Sequence, residues 1–284
     1  MFDRGGSSVS RRYVFVFAHY SASARLDQST RGLLEHLRNI GRTILVSTNL
    51  SLDEARSIHP DIQVIVRENI GYDFYSYKVG LASIEDPGIY DHTVLLNSSF
   101  VCFDPERLMS RFTACLDGSV DALGLTLSRE LTPHLQSYLI AFSRKAVMSP
   151  PLRQWWADMT PISDREAVIA RYELGLSRCL LDHQFSISSA FRPSFTARYR
   201  ALCQATLQDS HRATFLPLQL LKNLRRANKV NPTHFLWRAL LEEFGVLKRE
   251  LFEKNPFCLD LSDPSSAPRS CLPGQPQRAR SAPS

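Results

Sequence analysis

The chain has 284 residues, with 34 Lys and Arg against 28 Asp and Glu and a formal net charge of +6. That length supports one large α/β domain or two small ones. The basic balance suits an anionic ligand or a membrane surface and by itself identifies neither.

Residues 1–12 are rich in Gly, Ser and Arg and are expected to be disordered. The β-prone apolar run Tyr13–Ala18 predicts a buried strand, and Leu33, Leu34 and Leu37 give Gln28–Ile40 a helical period that Gly41 stops. A strand over Thr43–Ser47, a short helix over Leu52–Ile58 and a strand over Ile62–Val66 follow. A helix over Asp73–Ile84 and a strand over His92–Leu96 complete the alternation. This alternation predicts a mostly parallel sheet with helices on both faces. Pro105 opens a helix to Leu116. Strands are expected over Ala122–Thr126 and Tyr138–Phe142, and helices over Leu152–Met159 and Asp164–Leu181. After Phe185 the pattern turns helical, over His211–Ala227 and Thr233–Phe244, and is expected to form a helical appendix from about residue 186 on a single domain spanning 13–262. Residues 263–284, with little apolar content, are expected to be a disordered tail.

Six cysteines, at 102, 115, 179, 203, 258 and 271, form no Cys-x-x-Cys pair and are expected to be reduced, in a cytoplasmic protein. Tyr13–Ala18 is too short for a secretory h-region or a membrane span. Membrane association is therefore expected to be peripheral, on the cytoplasmic face.

Ligands of an open parallel sheet bind beyond the carboxyl ends of its strands. That rule selects His19 and Tyr20 after the first strand, Asn69–Asp73 after the third, and Asn97, Ser98 and Ser99 after the fourth. Gly71 permits positive φ and close backbone approach, and Asn69 offers an amide to a base or ribose edge. Asp73 can bond a ribose hydroxyl; it can equally cap the helix that follows. Asn97, Ser98 and Ser99 can hydrogen-bond a phosphate but supply no charge. Glu173 stands at the head of an amphipathic stretch whose apolar face runs through Leu174, Leu176, Cys179, Leu180 and Phe185. An acid there also has a routine explanation in the helix dipole. His134 and Gln136 precede a strand and can face the same cleft. Trp155 and Trp156 can stack on a sugar or simply pack. Arg144, Lys145, Lys248, Arg249 and Lys254 can meet a diphosphate, with Arg144 and Lys248 the first choices. The sequence has no P-loop, no Gly-x-Gly-x-x-Gly, no Gly-x-Ser-x-Gly and no Cys/His metal cluster. Its aromatics are not interleaved with Arg and Lys, which argues against nucleic acid as a partner.

Several of these segments together resemble one family. They are Tyr13–Tyr20, Arg67-Glu68-Asn69-Ile70-Gly71-Tyr72-Asp73-Phe74, Tyr90–Phe100 and His134-Leu135-Gln136-Ser137-Tyr138. Asn231-Pro232-Thr233 through Trp237, Lys248-Arg249-Glu250-Leu251 and Asn255-Pro256 extend the likeness. In combination they resemble the rhamnan synthesis protein F family over about residues 13–257. The resemblance implies a GT-A-like, Rossmann-like fold. It also implies a bacterial glycosyltransferase that moves a deoxysugar, rhamnose by expectation, from a nucleotide-sugar such as dTDP-rhamnose. The acceptor would be a growing surface polysaccharide or O-antigen, glycan- or lipid-linked, at the inner membrane beside other synthesis proteins.

The order of segments is also similar to the wider inverting family 2 transferases. By that likeness Asn69–Gly71 is the nucleotide turn, Asn97–Ser99 is the place of an acidic motif for Mg²⁺ or Mn²⁺, and Glu173 is the acceptor base. Two positions depart from the pattern: Ser98 stands where an Asp is usual, and Tyr172 precedes Glu173 in place of an acid. No Asp-x-Asp occurs anywhere in the chain. No metal ligand is therefore assigned. A second reading stays open, a catalytically inactive sugar-binding or assembly module on the same fold.

Overall fold

The computed structural model describes residues 12–210 and 231–254, with side chains described outside 204–210. The expectations for 1–11, for the helix over 211–227 and for the tail over 263–284 lie outside the described residues.

Four parallel strands set up the core. β1 (Tyr13–His19), β2 (Arg42–Ser47), β3 (Ile62–Val66) and β4 (His92–Asn97) lie in the spatial order β3-β2-β1-β4. Beyond β4 the sheet continues with β9 (Leu139–Ser143), β6 (Ala122–Gly124) and β10 (Ile187–Ser189), which makes seven strands. β9 is antiparallel to both neighbours; every other pairing in this sheet is parallel. The result is the mostly parallel α/β sheet expected. Between β6 and β9 the chain makes a small antiparallel pair of its own, β7 (Leu127–Ser128) with β8 (His134–Leu135).

Strand alternation sorts the core into two faces. Phe15, Phe17 and Leu45 pack with Leu33, Leu34 and Leu37 of α1 (Gln28–Ile40) and with Leu108 and Phe112 of α4 (Pro105–Ala114). The short α2 (Leu52–Arg56) connects β2 to β3. Val14, Val16, Ala18, Ile44 and Val46 face the other way. They meet Phe74 and Tyr77 of α3 (Tyr72–Ala82), and Leu176 and Leu180 of α8 (Leu174–Asp182). α3 lies very close to the sheet: a Cβ at Gly80 would come within 2.3 Å of Val16 Cγ1. After β9 come α5 (Arg144–Met148) and α6 (Pro150–Ala157), which carries Trp155 and Trp156 onto this second face against Phe74. Tyr172 also packs on Phe74 and on Trp155. Both tryptophans are half-buried and pack on Phe74.

Two features bear on the site. α7 (Arg165–Val168), a π-helical turn (Ile169–Glu173) and α8 run on without a break, so Glu173 sits mid-helix. The helix expected over Asp164–Leu181 is thus continuous, apart from its π turn, and the helix-head setting and dipole explanation given for Glu173 fall away. Second, the region after residue 186, expected to be helical, contains two short strands as well as helices. β10 joins the main sheet. β11 (Val246–Lys248) pairs antiparallel with β5 (Phe100–Cys102), placing Lys248 opposite Phe100. The helices there are Phe195–Ser210, Pro232–Phe235, Trp237–Phe244 and Arg249–Glu253. Among the described residues no helix is long and apolar enough to cross a membrane. Cys102, Cys115, Cys179 and Cys203 are free thiols.

Candidate functional site

The carboxyl ends of β1, β3 and β4 open on one edge of the sheet, and three polar constellations meet there. The first is the turn between β3 and α3. Arg67 shapes it by donating to the carbonyls of Glu68 (2.7 Å), Ile70 (2.6 Å) and Tyr72 (2.8 Å) and to Ser76 Oγ. Its guanidinium also lies 5.1 Å from the Tyr75 ring centre. So many carbonyls turned toward one planar donor require an unusual backbone, and Gly71 takes φ +73°. Gly71 is also the N-cap of α3, with no side-chain cap. Asp73 therefore does not cap the helix. Its carboxylate instead accepts from Asn97 Nδ2 at 2.9 Å.

The second constellation is the end of β4. Asn97 is buried; its Oδ1 accepts from both the backbone N–H (3.0 Å) and the hydroxyl of Ser99. Ser99 Oγ in turn accepts from Lys248 Nζ at 2.9 Å, and that ammonium stands 5.0 Å from the Tyr138 ring centre. Ser98 does something different. Its hydroxyl accepts from the Tyr20 N–H and donates to the Tyr20 carbonyl, each at 3.1 Å, tying the end of β4 to the end of β1. Arg249 adds a clamp, donating to the Ser98 carbonyl (2.9 Å) and pairing with Asp27 at 2.7 Å.

The third is Glu173, whose Oε1 accepts from the Ser137 N–H at 3.2 Å. The Tyr77 hydroxyl donates to the Ser137 carbonyl at 2.8 Å, so Ser137 is held through both its N–H and its carbonyl. The π turn that carries Glu173 is a local widening of a kind found frequently at functional sites.

These groups feel one another. Burial raises the Asp73 carboxyl to about 6; the Lys248 charge opposes this and the Glu173 charge adds to it. Burial lowers the Lys248 pKa, against the pull of Glu173, Asp73 and Glu250. Burial also drives the His19 imidazole down to about 4. It is neutral at physiological pH and bonds Ser47 Oγ at 2.9 Å.

Asp73, Asn97, Ser99, Lys248 and Glu173 thus form one network. The other expected residues stand around it. Tyr20 is half exposed at the strand end, and Asn69 is exposed on the Arg67 turn. His134 is buried, with Nδ1 2.7 Å from the Thr132 carbonyl. Gln136 is buried and accepts from Thr126 Oγ1 at 2.8 Å, while its Nε2 reaches Asn231 and Thr233 at 3.5 Å each. The bond that reaches Glu173 comes instead from Ser137. Among the basic candidates only Lys248 enters the network, with Arg249 beside it. Arg144 pairs with Asp91, and Lys145 with Asp121 at 3.0 Å, at the opposite end of β4. Placing Arg144 at the diphosphate is therefore corrected. The antiparallel course of β9 carries it to the far edge. Lys254 is exposed on the helix end. Arg67, Tyr77, Ser137 and Tyr138 are site residues that sequence pattern does not single out. Arg67, Ser137 and Tyr138 do lie inside the segments that carry the family resemblance.

The fold raises the question of a divalent ion, and the donors at the β4 end do not fit one. Ser98 Oγ is committed to Tyr20, Asn97 Oδ1 to Ser99, and an ammonium already bonds Ser99. Among the described residues no group of three or more His, Cys, Asp or Glu is placed to hold a metal. What the arrangement offers is a fixed positive charge, two carboxylates and amide and hydroxyl donors, on the edge where such sheets take ligands.

The model of the rhamnan synthesis protein F family matches residues 44–219. The protein y4gN of Sinorhizobium fredii is 26% identical over 167 residues, which are 56% of this chain and 44% of that one. The virulence protein VirA of Vibrio anguillarum is 29% identical over 208 residues, 68% of this chain and 62% of that one. The chain thus spans less than two thirds of these relatives. Among solved structures, glucosyl-3-phosphoglycerate synthase of Mycobacterium tuberculosis aligns with TM-score 0.42 and 12% identity, over 79% of this chain and 81% of that one. A mannosyltransferase of Pyrobaculum calidifontis, solved with GDP-mannose and Mn²⁺, aligns with TM-score 0.37 and 13% identity, over 87% and 71%.

Proposed function

The chain belongs to the rhamnan synthesis protein F family, and from that membership and the geometry of the site we propose that it is an inverting glycosyltransferase. The observation that carries the reading is the convergence of Asp73, Asn97, Lys248 and Glu173 at the carboxyl edge of the parallel strands. A nucleotide-sugar, with dTDP-rhamnose the first candidate, lies along that edge. Its nucleoside meets the turn of Asn69, Gly71 and Asp73, with His19 and Tyr20 alongside, and its diphosphate meets Asn97 and Ser99.

Glu173 is the acceptor base in this reading. The acceptor hydroxyl oxygen bonds the anomeric carbon, its proton passes to Glu173, and the bond to the diphosphate oxygen breaks with its electron pair leaving on that oxygen. Attack from the face opposite the nucleotide inverts the anomeric centre. The fixed Ser137 N–H orients the carboxylate, and positioned general bases contribute roughly 10²–10⁴ in rate. The acceptor is a glycan or lipid-linked saccharide at the cytoplasmic face of the membrane, approached from the side of Gln136 and His134. We place the transferase in a single domain over 13–262.

A nucleotide-sugar screen by thermal shift, followed by a transfer assay with the stabilising donor, tests this. Stabilisation by one donor and formation of an inverted linkage are the expected results. Stabilisation without transfer to any acceptor would favour the second reading, a sugar-binding module. The Ser98 tie to Tyr20, in the place of an acid, is the observation behind that alternative.

A further inference from the structure

The proposed donor carries two negative charges on its diphosphate, and a third develops on the leaving oxygen as the sugar departs. Something positive must stand there. No residue of Asn97-Ser98-Ser99 is an acid, Ser98 is spent on the backbone of Tyr20, and the nearby Asp73 carboxylate is taken by Asn97. The β4 end does have a cation, built in from 149 residues away. β11 pairs with β5 directly after Asn97-Ser98-Ser99, and that register sets Lys248 over the β4 end.

We propose that Lys248 is this protein's own counter-charge for the donor diphosphate, standing in place of a divalent ion. The inference rests on the proposed nucleotide-sugar reading. Two contacts hold the ammonium in position, its bond to Ser99 Oγ and the face of Tyr138, and the backbone bond from Arg249 N to the Ser99 carbonyl, 2.9 Å, fixes the next residue. Of three ammonium N–H donors one serves Ser99, so the group can also donate to phosphate oxygens. Asp73, Glu173 and Glu250 act on it as negative neighbours and Arg165 as a positive one. In the apo protein these acids balance the lysine; when a diphosphate arrives it takes their place as the lysine's partner. During transfer Lys248 then faces the oxygen that receives the electron pair of the broken anomeric bond. A lysine does this as a point charge and needs no dissociable ion.

Calorimetric titration with dTDP, UDP and GDP, in EDTA and again in Mn²⁺, tests the inference on the wild-type chain and on Lys248→Gln and Lys248→Arg. The expected result is at least one diphosphate bound in EDTA, with affinity within about twofold of that in Mn²⁺. Lys248→Gln should lose about tenfold or more, the size of a charge-assisted bond, and Lys248→Arg should retain most of the affinity. The corresponding nucleoside should bind the Gln variant as it binds wild type. A Mn²⁺ requirement in wild type would overturn the lysine's role and leave the nucleotide-sugar reading standing. Unchanged diphosphate affinity in a folded Lys248→Gln would do the same. Absence of binding in both buffers would remove the lysine's role and the nucleotide-sugar reading together. If the Gln variant does not fold, the wild-type comparison with and without Mn²⁺ decides alone.

Discussion

The Asn97 side-chain amide donates to the Asp73 carboxylate at 2.9 Å, joining the end of β4 to the first turn of α3. Two segments 24 residues apart in the chain are thereby one surface, and the acid is held in a single orientation. If Asp73 meets the nucleoside as proposed, Asp73→Ala should weaken donor binding by about tenfold, the loss of one well-formed hydrogen bond. Calorimetry with the donor identified by thermal shift measures it. Tighter binding in the variant would show that Asp73 repels the diphosphate and acts as a partner of Lys248 instead.

Glu173→Gln keeps size and hydrogen-bonding capacity and removes the base. If Glu173 is the acceptor base as proposed, transfer should fall by roughly 10²–10⁴ in kcat with donor affinity nearly unchanged. Steady-state kinetics together with donor titration separate the two quantities. Full activity in the variant would strip Glu173 of the role.

Asp73 and His19 give stability opposite slopes against pH. The Asp73 carboxyl is raised from 3.8 to about 6, so its contribution is present below 3.8 and lost as pH rises through 6. The His19 imidazole is lowered from 6.5 to about 4, so its contribution is present above 6.5 and lost as pH falls through 4. Between pH 4 and 6 the two oppose each other. Asp73→Asn should make the protein more sensitive to acid over that window, and His19→Gln less so. Denaturant melts at half-unit pH steps read the slopes; parallel curves for the two variants would contradict the assignment.

Ser98 is a fastener. Ser98→Ala should lower stability by about 1–2 kcal/mol through the lost bonds to Tyr20, with nucleotide affinity within about twofold. Ser98→Asp, which supplies the acid that the family 2 likeness leads one to expect there, should destabilise further, since the site is only 8% exposed. It should also gain no tight Mn²⁺ binding. Thermal melts and a Mn²⁺ titration of both variants check this.

Gly71 combines φ +73° with crowding: a Cβ there would lie 2.6 Å from Tyr75 Cβ and 3.0 Å from Pro161 Cα. Gly71→Ala should destabilise by about 1–3 kcal/mol and weaken donor binding at the same time, because the strain falls on the Arg67 turn. A melt as stable as wild type would mean that the turn has another accessible conformation.

The first half of the sheet is legible residue by residue. α1 and β3 have the expected bounds, and β1, β2 and β4 differ by one residue at one end. Each is a continuous apolar run or a clear helical period bounded by a turn, and local pattern is enough. β5, β10 and β11 are three residues each, too short to carry a period, and β5 finds its partner only through a pairing that spans about half of the chain. For the site, the Asn69–Asp73 and Asn97–Ser99 segments can be found because they close strands. The choice among Arg144, Lys145, Lys248, Arg249 and Lys254 cannot be made the same way. Five exposed-looking cations have no local feature that tells which edge of the sheet they reach. Glu173 is legible by type but not by setting. Nothing in Ile169-Ala170-Arg171-Tyr172-Glu173 distinguishes a π turn from the α-helix around it.

Because the cation of the site arrives on β11, the order of synthesis matters. The seven-stranded sheet uses residues 13–189 and can begin to fold while the rest of the chain is still being made. Until Val246–Lys248 has emerged, β5 lacks the pairing that β11 supplies and Ser99 at the end of β4 lacks its lysine partner. A translation product ending short of residue 246 would therefore hold Asp73 and Glu173 without Lys248. In the proposed reading such a product would repel the diphosphate that Lys248 is there to meet.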